Sequence, residues 1–126
     1  MGPKKYKILY EPYLSKYRDK KMKPATEIFI FKTDASKRDK TINVLKELQK
    51  EIIEASNGSV KSVRTLVGAF DNITISQIYE WDDIQTAKKI NELFFSFKSA
   101  SELQLLNKDN IFMGQLFEIE DNKYPA

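Results

Sequence analysis

Two strand-like segments in this chain are apolar on both faces, and that feature constrains the fold more than any other. Thr26 to Thr33 reads T-E-I-F-I-F-K-T, rich in β-branched and aromatic residues. Ile28 and Ile30 point to one face of such a strand, Phe29 and Phe31 to the other. Ile111 to Glu120 repeats the pattern, with Met113 and Phe117 opposing Phe112 and Leu116. A sheet built from these strands needs cover on both sides.

The segments between them supply cover for one side. Asp34-Ala35-Ser36 offers a helix start, with Ser36 or Asp34 as the cap. Asp39 to Ala55 then places Ile42, Leu45, Leu48, Gln49 and Ile52 on one helical face, broadened by Val44 and Ile53. Asn57-Gly58 ends that helix, Gly58 being suited to a left-handed cap. Val60 to Phe70 and Ile73 to Trp81 form two further strands, and the Asp71-Asn72 turn between them makes a hairpin. Asp82-Asp83 opens a second helix at its positive end. That helix runs from about Ile84 to Phe97 with Ala87, Ile90, Phe94 and Phe97 inward. Ser99 to Asn107 adds a short helical turn before the last strand.

The resulting order, β-α-β-β-α-β, predicts an α+β ferredoxin-like domain: a four-stranded antiparallel sheet with two helices on one face. The other face, left apolar, is a partner site. A homodimer is the expected solution, the alternative being that the N-terminal segment folds back over the sheet.

That segment stands apart in charge. Residues 1–24 carry eight basic side chains against Glu11 and Asp19, for a net +6, while the rest of the chain carries 13 basic and 16 acidic residues, for a net −3. Tyr6, Tyr10, Tyr13 and Tyr17 lie here, spaced for one helical face but interrupted by Pro12. The expected organisation is therefore a basic, tyrosine-rich extension over 1–24 and a domain over 25–126.

Composition removes several chemistries. The 126 residues include no cysteine and no histidine. Disulfides, thiolate zinc sites and cysteine nucleophiles are excluded, as are the usual neutral-pH base and the usual heme ligand. No spacing points to a carboxylate-only metal site, and no cofactor is expected. Met1-Gly2-Pro3-Lys4-Lys5 is not followed by a long apolar run, so a cytoplasmic protein without a membrane span is expected.

Candidate binding residues cluster on the hairpin. Ile75, Gln77, Tyr79 and Trp81 share one strand face; Ser62, Arg64, Leu66 and Phe70 share a face on the neighbouring strand. Gln115 is the one uncharged hydrogen-bonding side chain in an apolar row of the last strand. If these rows face the helices, they line a mostly apolar pocket with a few polar groups. Arg64 would hold an anionic oxygen, Tyr79 and the glutamines would orient carbonyls or hydroxyls, and Trp81 would stack on a flat ligand. The competing reading makes Tyr79 and Trp81 core or interface aromatics, and pairs Arg64 with an acidic neighbour. Glu80, Asp82 and Asp83 read as capping groups rather than an acid–base pair.

The strand T-E-I-F-I-F-K-T, the hairpin end I-T-I-S-Q-I-Y-E-W-D-D and the helix I-Q-T-A-K-K-I-N-E-L-F-F-S-F together resemble the antibiotic-biosynthesis-monooxygenase-like (ABM) domains of the dimeric α/β-barrel superfamily. The resemblance covers about residues 25–121. It implies two ferredoxin-like protomers sharing a barrel, with ligands between each sheet and its helices. It also implies either a cofactor-independent monooxygenase acting on a small apolar or aromatic molecule, or a non-catalytic structural or interaction domain. The heme-degrading branch pairs a tryptophan, to which Trp81 would correspond, with an asparagine and a histidine that this chain lacks. The same element order occurs in RNA-recognition domains, but T-I-S-Q-I-Y-E-W lacks their basic-glycine-aromatic pattern, and nucleic acid is not the expected partner.

Overall fold

A computed structural model describes residues 23–119. The expectations for residues 1–22, including the tyrosine face, and for residues 120–126 lie outside the described residues. The elements are β1 (Ala25–Lys32), α1 (Arg38–Ala55), β2 (Val60–Val67), β3 (Thr74–Trp81), α2 (Ile84–Glu92), α3 (Lys98–Leu106) and β4 (Asp109–Leu116), with single 3-10 turns at Ala35–Lys37 and Phe94–Ser96. All strand pairs are antiparallel, in the order β2-β3-β1-β4. This is the α+β ferredoxin-like arrangement that the segment order predicts.

The two-faced character of β1 is visible in its burial. Ala25, Glu27, Phe29 and Phe31 are buried on the helix side, while Thr26, Ile28, Ile30 and Lys32 are half-buried on the other. The core lies between the sheet and the helices, where Phe29, Phe31, Leu45, Leu48, Ile52, Ile75, Tyr79, Trp81, Ala87 and Ile90 pack together. On the open face, Leu66, Phe112 and Leu116 are 45%, 42% and 47% exposed. No described residue covers them. No helix among the described residues is long and apolar enough to cross a membrane.

Local chemistry departs from expectation in four places. Neither Asp34 nor Ser36 caps α1. Lys37 occupies the cap position without a side-chain bond, and the Asp34 carboxylate instead pairs with Lys108 Nζ at 3.0 Å. The left-handed exit from α1 begins at Asn57 (φ 53°) and continues through Gly58 (φ 86°). The second helix ends at Glu92 rather than Phe97, and the following 3-10 turn leads into a separate nine-residue α3. Finally, β4 starts at Asp109 and carries a bulge: Ile30 faces Phe112 while Phe31 faces Asn110, leaving Ile111 out of register.

The hairpin turn is held by one carboxylate. Asp71 Oδ1 accepts from the Ile73 and Thr74 amides at 3.0 and 3.1 Å, and its Oδ2 accepts from the Thr74 hydroxyl. These donors keep the Asp71 carboxyl below its usual range. Asp83 caps α2 by accepting from the Gln85 amide at 3.2 Å and the Thr86 hydroxyl at 2.9 Å. Asp82 faces away from the helix, accepting from Ser59 Oγ at 2.7 Å and pairing with Lys61 Nζ at 3.2 Å. The Ser59 hydrogen bond is the main cause of its lowered pKa.

Candidate functional site

The register decides which candidate residues meet. On β3, Ile75, Gln77, Tyr79 and Trp81 face the helices, directly beside Phe31, Phe29, Glu27 and Ala25 of β1. On the far side of β1, Gln115 lies opposite Glu27 and Met113 opposite Phe29. Gln77, Tyr79, Trp81 and Gln115 therefore share the helix face of the sheet. Arg64 does not join them. It pairs with Ile78, while its neighbours Val63 and Thr65 pair with Tyr79 and Gln77. Strand alternation thus sends Arg64, together with Ser62 and Leu66, to the open face. The expectation that both hairpin rows face the helices is corrected accordingly.

The residues that do meet are committed to one another. Tyr79 is fully buried and donates its hydroxyl to Gln77 Oε1 at 2.8 Å. Gln77 Nε2 in turn reaches Thr65 Oγ1 at 3.2 Å and the Leu45 carbonyl at 3.5 Å. Burial, with a smaller push from the Glu27 charge, raises the Tyr79 phenol far above its ordinary value, so it stays protonated. Trp81 stacks on Tyr79 with ring centroids 6.2 Å apart and is 2% exposed, leaving no free face for a ligand.

At the centre of this group is a residue the sequence reading passed over. Glu27 is 1% exposed. Its Oε1 accepts from Trp81 Nε1 at 3.1 Å, and its Oε2 accepts from Asn91 Nδ2 at 2.7 Å and from Gln115 Nε2. No cationic side chain among the described residues pairs with it. A buried carboxylate held only by neutral donors is unusual, because burying a charge is costly unless it is paired. The signal was present in the sequence: Glu27 is the single charged residue in the inward row shared by Phe29 and Phe31.

Two hollows lie next to this carboxylate, side by side along β4. One, of about 160 Å³, sits between the β1–β4 edge and the segment from Phe94 to Asn107; Phe29, Phe31, Phe94, Phe95, Leu103 and Met113 form its walls. Asn107 also borders it, and its Oδ1 is buried without a hydrogen-bond partner among the described residues. The other is an open cleft of about 440 Å³ walled by Ile84, Lys88, Asn91, Glu92 and Gln115. Met113 and Gln115, two residues apart on one strand face, link the two, as do Asn91 and Phe94, three residues apart. The aromatic wall is well ordered by contact: Phe29 meets Tyr79 edge-on at 6.0 Å and Phe94 at 6.4 Å.

No protein-family model matches the chain, and a search of curated protein sequences finds no match. Solved structures do match. SnoaB, a cofactor-independent oxygenase from Streptomyces nogalater, superposes with a TM-score of 0.67 at 11% identity, over 78% of this chain and 95% of that one. A candidate antibiotic biosynthesis monooxygenase from Chloroflexus aurantiacus gives 0.59 at 15% identity, over 76% and 93%. A further candidate of that description, from Nitrosomonas europaea, gives 0.65 at 8% identity, over 78% and 92%. The chain has the ABM-like, ferredoxin-like fold of these proteins. At such identities the likeness is one of fold alone.

Proposed function

We propose that this protein binds a small, flat, largely apolar molecule in the hollow between β1–β4 and the Phe94–Asn107 segment. The observation that carries this reading is the hollow itself. Its volume of about 160 Å³ is close to that of apolar cavities, about 150 Å³, that admit a benzene ring. Four phenylalanines border it, and Asn107 offers an unused acceptor, whose lost hydrogen bond costs about 1–3 kcal/mol until a donor arrives. Of the five residues singled out in the sequence, Gln115 alone lines one of these two hollows. In this reading Gln77, Tyr79 and Trp81 shape the site's floor from below.

The reaction we propose for the bound ring is cofactor-independent monooxygenation, supported by the shared fold with the oxygenase SnoaB. An electron-rich ring carbon would give its electrons directly to dioxygen. One oxygen atom would become a ring carbonyl, and the other would leave as water with the two hydrogens of that carbon. The protein's part is to hold the ring dry and oriented. A second reading, a non-catalytic domain of the same fold, draws support from the internal bonding of Gln77, Tyr79 and Trp81.

The homodimer belongs to this proposal. The open sheet face, with Ile28, Ile30, Ile78, Leu66, Phe112 and Leu116, is suited to the same face of a second copy.

Binding is tested by calorimetric titration with toluene. Saturable binding is expected, and Ala100→Leu, which fills the hollow from α3, should abolish it while the far-ultraviolet spectrum is retained. Toluene binding that Ala100→Leu leaves unchanged would place the ring elsewhere. Oxygen uptake with a bound hydroquinone, above the protein-free rate, separates the catalytic reading from the non-catalytic one.

A further inference from the structure

The cost of burying Glu27 asks for a return that folding alone does not explain. Glutamine or methionine would fill the same inward position without a charge. Two of the three donors to Glu27 are also walls of the open cleft: Asn91 is half-buried and Gln115 exposed. The carboxylate is thus one side chain away from the cleft. An ionised carboxylate has about four acceptor positions, and Glu27 uses three. Gln115 sits on an edge strand and can swing aside, since its other atoms meet solvent.

We propose that Glu27 is the polar anchor of the ligand site, and that the ligand is a hydroxylated aromatic whose O–H donates to this carboxylate while its ring enters the neighbouring phenylalanine-lined hollow. This rests on the reading that the hollow binds a ring, and adds the substrate class. The chemistry favours a neutral donor over a cation. Lys88 and Glu92 balance one another at the cleft mouth, so nothing there draws in a positive charge beyond Glu27 itself. A hydroxyl attached to an apolar ring suits a carboxylate set beside an apolar hollow. Hydrogen bonds to charged, desolvated groups are the stronger kind, so the hydroxyl should be worth about tenfold or more in affinity.

The test compares para-cresol with para-methylanisole, its O-methylated counterpart, and with toluene, on the wild-type chain and on Glu27→Gln. The expected result is cresol binding at least about tenfold tighter than either analogue to the wild type, with the preference lost in Glu27→Gln and toluene affinity kept. Equal affinities for the three probes in the wild type overturn the anchor and leave the ring hollow standing. A cresol preference that survives in Glu27→Gln also overturns it, assigning the hydroxyl to Asn107 instead. Failure of all three probes to bind the wild type overturns the hollow and the anchor together. Should Glu27→Gln not fold, Gln115→Ala supplies the readout: uncovering Oε2 should tighten cresol binding relative to toluene, and an unchanged ratio counts against the anchor.

Discussion

Single residues on the helix face show how polar groups are afforded in this core. The Tyr79 hydroxyl has its partner in Gln77, and removing it leaves a buried carbonyl oxygen without a donor. Tyr79→Phe should therefore cost about 1–2 kcal/mol in urea denaturation, with the slope unchanged. The phenol also makes stability depend on alkali. Its folded pKa lies above the ordinary value of 10.0, so its contribution is complete below pH 10.0 and declines above it, where the unfolded chain ionises first. The decline measured between pH 10 and 11 should be shallower in Tyr79→Phe than in the wild type. An identical decline would mean that burial does not hold this phenol neutral. At this scale the sequence was informative about Gln77, Tyr79 and Trp81, whose shared face follows from period-2 alternation. It was silent about Arg64's face, because Val60 to Val67 mixes polar and apolar residues on both sides, and only pairing with β3 sets the register.

Elements are tied together by bonds that no local pattern announces. The N-terminus of α3 has no capping side chain of its own. Its first amides instead donate to Glu51 of α1, Lys98 N to Oε2 at 3.1 Å and Ser99 N to Oε1 at 3.0 Å. The carboxylate of one helix thus satisfies and charge-complements the start of another. Glu51→Ala should cost about 1 kcal/mol and Glu51→Gln less, measured by thermal unfolding. Equal stability of all three would show that α3 begins without this cap. The bond also explains why the second helix is split. The continuous apolar stripe from Ala87 to Phe97 reads as one helix, but breaking it after Glu92 lets Phe94 pack against Phe29 and sets α3 on Glu51. The hollow exists because of that break, so it was not legible in a sequence read as a single helix. A second long-range tie joins β1, α1 and α3: Thr33 Oγ1 lies 2.9 Å from both Thr41 Oγ1 and the Leu106 carbonyl, and Thr41 Oγ1 lies 2.8 Å from the Lys37 carbonyl. Two hydroxyl protons serve these three contacts, so two of them are hydrogen bonds at any moment.

For the whole molecule, the two-faced strands carried the most information. Phe29 and Phe31 pack on the helices as alternation requires, and Ile28 and Ile30 remain on the opposite face. Element order and strand alternation were enough to reach the ABM-like fold, because both are properties of the chain that pairing preserves. The bulge at Ile111 was not, since nothing in its local sequence marks the extra residue. The proposed dimer follows from the apolar face. Light scattering at micromolar concentration should give twice the chain mass of 14.7 kDa. Ile78→Lys, which sets a second cation beside Arg64 on that face, should return a folded particle of single mass. A wild-type mass of one chain contradicts the dimer.

The central claim, a ring-binding hollow on the helix side of the sheet, is tested most directly by methyl resonances recorded while toluene is added. The account predicts saturable shifts at Leu103 and Met113, which wall the hollow, and none at Ile28, Leu66 or Leu116 on the open face. Shifts confined to the open face, or no shifts at all, would contradict it.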